Sequence, residues 1–238
     1  MVEHLAPRLA EIPGVVAVTL GGSRADGRAH LDADWDFGLY YRGTIDPADV
    51  RALGFDGEVF APGEWGRVPN GGAWLSVDGA KVDLIYRDLD VVERWTRDAE
   101  AGRFAVFREV GYVAGVPSYV VAAELAIARV LVGSLPKPAF PEALRQNAPP
   151  WWRRISDGAI KFAVSHGRRG DAVACAGQIA VATIAEGHAR FTEQGQWYLP
   201  EKDMLKRVGL GEVAAIMPDL ARDSEGAIER VQAELSRR

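Results

Sequence analysis

The stretch Leu20–Tyr41, "LGGSRADGRAHLDADWDFGLYY", decides the fold. An apolar run beginning at Gly14, "GVVAVTL", stops on Gly21-Gly22-Ser23, and a second run then opens with Asp34 and Asp36, one residue apart. Residues at i and i+2 of a strand share a face, with Cα atoms roughly 6.6 Å apart. Two carboxylates held that close repel, and one stays protonated unless a cation joins them. Mg²⁺ suits such a site, because it binds through one or two carboxylates together with substrate phosphates. A third carboxylate on a neighbouring strand would complete a two-metal site, with ions about 3.5–4 Å apart. Asp83, set among Val82, Leu84 and Ile85 in "AKVDLIY", is the candidate. Gly21 and Gly22 let backbone N–H groups approach a phosphate with no Cβ in the way, at a turn that aims them at an anion. Ser23 adds a hydroxyl donor and Arg24 a positive charge.

Outward from that stretch the chain reads as a small sheet domain followed by helices. "GVVAVTLGG" is a buried strand stopped by glycines, and "DWDFGLYYRG" a second strand. "TIDPADVRAL" follows as a helix, with Asp46 as N-cap and Pro47 at the first helical position. "GEVF" and "AWLSV" are short strands, and Asp78-Gly79 turns the chain into a further strand, "AKVDLIYRD". "DLDVVERWTRDAEAG" opens a helical half, in which segments near 119–132, 152–167, 171–194 and 219–237 carry helix-like spacing. Pro136, Pro138, Pro141, Pro149 and Pro150 are expected to break up the middle. The expected division is a mixed α/β sheet domain over 1–108 and an all-helical domain over 109–238.

Composition narrows the classes of function. The chain has 238 residues, 48 % hydrophobic and 26 % charged, enough for a sizeable core. Cys175 is the sole cysteine, so no disulfide framework exists and a reducing compartment is expected. The opening "MVEHLAPRLAEIPG" has no basic segment ahead of an apolar core, so no secretory signal is expected. Apolar runs are interrupted well short of a membrane span, and a cytoplasmic location is expected. Residues 1–110 carry 19 acids against 12 bases, a net of −7, while residues 111–238 carry 14 against 16, a net of +2. That split suits a metal-binding region followed by one that helps hold phosphates. It disfavours nucleic acid, which asks for a basic face. The histidines at 4, 30, 166 and 188 are scattered, and no zinc site is readable.

The joint pattern Gly22-Ser23, then Asp34-Trp35-Asp36, then a distant strand Asp83 resembles the nucleotidyltransferase fold of the DNA polymerase beta superfamily. More narrowly it is similar to the small bacterial and antibiotic-modifying nucleotidyltransferases. The resemblance covers roughly residues 14–88; Trp35 stands where an aliphatic residue is usual, and the helical half is similar only loosely. It implies ATP or another nucleoside triphosphate and two Mg²⁺ ions. Asp34 and Asp36 would ligate both metals and Asp83 one of them, near the attacking hydroxyl. Gly22 and Ser23 would hold the β- and γ-phosphates. In similar antibiotic transferases a helical glutamate is the general base, which points to Glu124 in "VAAELAIARVL"; the plainer alternative is a wet glutamate paired to Arg129. Lys202, after Pro200 in "WYLPEKDML", is the candidate phosphate-binding lysine. Cys175 reads as packed core, and Trp151-Trp152 as core, domain interface or an acceptor-stacking wall.

The expected activity is transfer of a nucleoside monophosphate, AMP from ATP, to a hydroxyl of a small molecule, an aminoglycoside being a reasonable acceptor for an acidic cleft. Two alternatives stay open. The acceptor is a tRNA or a protein hydroxyl, or the chain is a non-catalytic nucleotide-binding module.

Overall fold

The computed structural model describes residues 2–25, 33–199 and 203–237. In chain order the elements are α1 (Val2–Ala10), β1 (Val15–Leu20), α2 (Gly22–Ala25), β2 (Trp35–Tyr41), α3 (Pro47–Arg51), β3 (Asp56–Val59), β4 (Gly72–Val77), β5 (Ala80–Asp88) and α4 (Leu89–Glu100). There follow β6 (Val106–Phe107), β7 (Val116–Pro117), α5 (Val120–Ile127), β8 (Arg129–Val132), α6 (Glu142–Gly167), α7 (Ala172–Glu193), α8 (Met204–Arg207), α9 (Val213–Ile216) and α10 (Ser224–Ser236). The fold class is mixed α/β, with a mixed sheet and a helical C-terminal region. Among the described residues no helix is long and apolar enough to cross a membrane.

A six-stranded sheet runs in the order β3-β4-β5-β2-β1-β8. Only the central pair β2–β5 is parallel; the other neighbours are antiparallel. Strand alternation sorts the side chains by face. Phe37, Leu39 and Tyr41 of β2, Val82, Leu84 and Tyr86 of β5, and Val18 and Leu20 of β1 are buried in one core with Leu5 and Leu9 of α1. The alternate residues, Asp36, Gly38 and Tyr40 with Asp83, Ile85 and Arg87, therefore stand on the other face. Local signals fix the ends. The Asp46 carboxylate accepts the Ala48 N–H at 2.8 Å and caps α3. Asp78 and Gly79 both take positive φ, 51° and 79°, as a tight two-residue hairpin requires.

Two expectations about the second half are corrected. The segment 119–132 is not one helix. The backbone leaves α5 at Ala128, where ψ is 150°, and continues as β8 along the outer edge of β1. Leu131 and Val132 there pack on the sheet core, a gain that a continued helix would forgo. Nor do Pro149 and Pro150 interrupt structure: α6 runs through both. The prolines remove two intrahelical donors. Side contacts hold the helix across the gap: the Arg145 guanidinium donates to the Glu193 carbonyl at 2.9 Å, the Asn147 amide to the Gly102 carbonyl at 3.1 Å, and Trp152 is fully buried.

The chain forms two compact units. The first is Met1–Ala99, Phe104–Val110 and Val116–Ala139; the second is Glu100–Arg103, Gly111–Gly115 and Phe140–Arg238. Residues 116–139, placed after the expected boundary at 108, group with the sheet because β8 is one of its strands. In the second unit α6 and α7 pack along each other, and Ala159, Ile160, Ala163, Cys175, Ile179 and Ala182 share a core with Ala227, Ile228 and Val231 of α10. Cys175 is packed core, and Trp152 stacks on the His188 ring at 4.3 Å within the same unit.

Candidate functional site

The parallel pairing of β2 and β5 sets Asp36 directly opposite Asp83. Register partners share a face, so two carboxylates from strands far apart in sequence stand side by side about 4.8 Å apart at the backbone. Asp34, two residues before Asp36, leads into the same strand and is exposed. With Asp83 it lines an open cleft of about 490 Å³, whose wall also holds Asp56, Trp74, Ser76 and Lys81.

The glycine loop is built onto Asp36. The Gly21 N–H donates to the Asp36 carbonyl at 2.7 Å, which ties the end of β1 to the start of β2. Gly22 takes φ +60°, and a Cβ placed on it would come within 1.8 Å of Asp36 Oδ2. Glycine is favoured there, because φ is left-handed and the Asp36 carboxylate occupies the space a side chain would need. Ser23 follows within α2.

Arg24 reaches the backbone just ahead of β2. Its Nε and Nη2 donate to the Ala33 carbonyl at 3.0 and 2.6 Å, and Nε also donates to the Asp34 carbonyl at 3.2 Å. The guanidinium lies over the Trp35 ring, 4.2 Å from its centroid, and Trp35 in turn stacks on Phe37. The large residue between the two aspartates thus carries a cation–π contact. Arg24 joins the glycine loop to the backbone that presents Asp34.

A hard divalent cation suits this donor set. Carboxylate oxygens are its preferred ligands, and Mg²⁺ needs only one or two of them beside phosphate and water. Asp34 and Asp83 share the cleft, and Asp36 is in register with Asp83. Among the described residues no group of three or more His, Cys, Asp or Glu side chains is placed to hold a metal ion. Asp36 packs its carboxylate against Gly22.

Farther along the same face lies a different arrangement. Glu124 of α5 faces Arg87 of β5, with Arg87 Nε to Oε2 at 2.5 Å and Nη2 to Oε1 at 2.6 Å. Arg87 Nη1 also donates to the carbonyls of Val68, Pro69 and Tyr86. The side chains are 7 % and 22 % exposed, so this is a largely buried ion pair. The expected partner of Glu124, Arg129, lies in β8, not one helical turn away. Burial raises the Tyr40 hydroxyl well above its ordinary pKa; the Glu124 charge adds to this and Arg87 opposes it. Lys202 lies outside the described residues.

Two residues of this face escaped the sequence reading. Arg87 was legible, since strand alternation puts it on the face of Asp83, four residues earlier. Trp74 left no such signal; its place follows from antiparallel register with Asp83.

No protein-family model matches the chain, and no curated protein matches it. Among solved structures it is similar to a nucleotidyltransferase-like protein from Exiguobacterium sibiricum, at 11 % identity and a TM-score of 0.42, over 98 % of this chain and 70 % of that one. A likeness that distant decides neither substrate nor mechanism.

Proposed function

We propose that the chain is a Mg²⁺-dependent nucleotidyltransferase, moving AMP from ATP, or another nucleoside monophosphate from its triphosphate, to a hydroxyl of a small molecule such as an aminoglycoside. The observation that carries this is the direct register of Asp36 with Asp83, with the Gly21-Gly22 loop packed on Asp36. Like charges on neighbouring strands ask for a cation, and a glycine loop beside them suits the phosphates that would accompany it.

Asp34, Asp36 and Asp83 would hold the metal, which supplies charge neutralisation at the phosphates and the leaving pyrophosphate. Backbone N–H groups at Gly22 and Ser23 would bind the β- and γ-phosphates. Asp83, on the cleft wall, would take the proton of an acceptor hydroxyl as its oxygen attacks the α-phosphorus and the bond to pyrophosphate breaks. Glu124 is not assigned the base role, because both its oxygens are engaged by Arg87. Arg24, bonded to the Asp34 carbonyl, would help to position that residue.

The alternative is a nucleotide-binding module without transfer. Incubation with each α-labelled nucleoside triphosphate, Mg²⁺ and a panel of antibiotics, tRNA and cell extract separates the two. Label on a small hydroxyl acceptor with pyrophosphate release supports the proposal. Label on RNA or protein moves the acceptor class, and saturable nucleotide binding with no pyrophosphate release defeats transfer.

A further inference from the structure

Strand register lays out one row of side chains across the open face of the sheet. Glu58 of β3 is opposite Trp74 of β4, Trp74 is opposite Asp83 of β5, and Asp83 is opposite Asp36 of β2. Neighbours in that row are about 4.8 Å apart at the backbone. The row therefore reads carboxylate, indole, carboxylate, carboxylate, and the Gly21-Gly22 loop lies against its far end.

Trp74 is unusual in it. A large apolar side chain 51 % exposed calls for a reason when it lines a cavity. Its ring is buttressed by two others: Trp65 stacks on it at 5.3 Å and 19°, and Phe60 meets it edge-on at 4.7 Å. A buttressed indole gives a rigid, flat contact surface at low entropic cost. Asp56 shares the cleft with it, opposite Ser76 in register, and Glu58 stands on its outer side. These two acids belong to the edge strand, apart from Asp34, Asp36 and Asp83. Their charge stays beside the indole when a metal occupies the inner carboxylates. Lys81 is the one basic side chain on the cleft wall among the described residues.

We infer that this cleft binds a planar organic cation, an amidine, a guanidine or an aromatic ammonium, with its ring on Trp74 and its positive group toward Asp56 and Glu58. An indole face attracts a cation through its quadrupole, and carboxylates in reach of the ring's edge add charge-assisted hydrogen bonds. A ring so held presents its opposite edge to Asp83. As the acceptor's seat the cleft rests on the transfer reading above; as a binding site it does not.

The test is calorimetric titration of the full chain with benzamidine, benzamide and benzoate, which share a shape and differ in charge, with and without Mg²⁺. Benzamidine is expected to bind about tenfold or more tighter than benzamide, and benzoate not at all. Trp74→Ala should weaken benzamidine by a similar factor while Trp74→Phe keeps most of the affinity. Asp56→Asn and Glu58→Gln, on an exposed edge strand, should each weaken it severalfold, and they serve if Trp74→Ala does not fold. Equal binding of the three compounds, or benzamidine binding unchanged in these variants, overturns the inference. Charge-selective binding that follows Trp74, with no transfer from any labelled nucleotide, upholds the site and defeats the transfer reading. Transfer to cationic hydroxyl acceptors with KM unchanged by Trp74→Ala and Asp56→Asn does the reverse.

Discussion

The open face of β2 and β5 carries two charge arrangements four residues apart, and they resolve burial in opposite ways. At one end Asp36 stands beside Asp83, carboxylate against carboxylate. At the other, Tyr40 stands beside Arg87, and α5 lowers Glu124 onto the guanidinium. The second arrangement is complete within the chain: Arg87 spends its donors on Glu124 and on three backbone carbonyls. The first sets two carboxylates in register, with Asp83 on the wall of a cleft. The proposed function rests on the carboxylate end, while the ion pair ties α5 to the sheet.

The largest expected effect tests the carboxylate end. Asp83→Asn should lower nucleotidyl transfer by about 10²–10⁴-fold, the range for losing a proton-transfer group, and Asp36→Asn should lower it through loss of a metal ligand. Without metal, thermal unfolding of either variant should occur at or above the wild-type temperature, because a repulsion has been removed. Mg²⁺ with nucleotide should raise the wild-type Tm and leave the variants' nearly unchanged. A variant less stable than wild type in metal-free buffer would make these aspartates structural and end the contrast.

Glu124→Gln probes the other end. Removing one partner of a buried pair costs about 3–5 kcal/mol, and urea unfolding should show a loss of that order. The double change Arg87→Met with Glu124→Leu should recover much of it, since apolar replacement of a buried pair is often neutral. A fall in kcat with full stability would return Glu124 to the catalytic machinery.

Gly22→Ala sharpens the boundary between loop and carboxylate. A left-handed φ disfavours the new side chain by roughly 1–2 kcal/mol, and its Cβ displaces the Asp36 carboxylate. Nucleotide KM should rise while near-UV circular dichroism stays native. Ser23→Ala should raise it less, and unchanged KM in both variants would put the phosphates elsewhere.

The smallest effect at neutral pH lies in the second unit. Burial lowers the His188 pKa to about 3, from 6.5. The unfolded chain thus takes up the proton first, so His188 has no influence above about pH 6.5. It lowers stability progressively as pH falls from there toward 3. Urea midpoints between pH 7.5 and 4.5 should fall more steeply for wild type than for His188→Phe. Parallel slopes would mean the ring is accessible to protons in the folded state.

What was legible in the sequence follows from the range of the forces involved. β1, β2, α3 and the Asp78-Gly79 hairpin are set by neighbours in the chain, and each was read within a residue or two. β8 was not, because no turn residue separates it from α5 in "AIARVLV", and its strand state comes from the open edge of β1. α6 was misread at Pro149-Pro150, where contacts from Glu193 and Gly102 outweigh local propensity. Within the candidate site the aspartates announced themselves by spacing. The carbonyls that claim Arg24 and the guanidinium that claims Glu124 did not, since an arginine's partner depends on which backbone folds beside it. The Glu124–Arg129 pairing had one warning in it: a spacing of five residues does not face two side chains along a helix.

The parallel bond between β2 and β5 also sets when the site can exist. α3, β3 and β4 all lie in the sequence between those strands, so their pairing closes a long loop before any contact rewards it. The hairpin of β4 with β5 and the antiparallel pairing of β1 with β2 need only short closures, and they can form without the long one. A chain at that stage has both strands and both aspartates, and no juxtaposition of carboxylates. Regain of metal affinity during refolding should therefore trail the regain of secondary structure, and its rate reports the closing of the central pair.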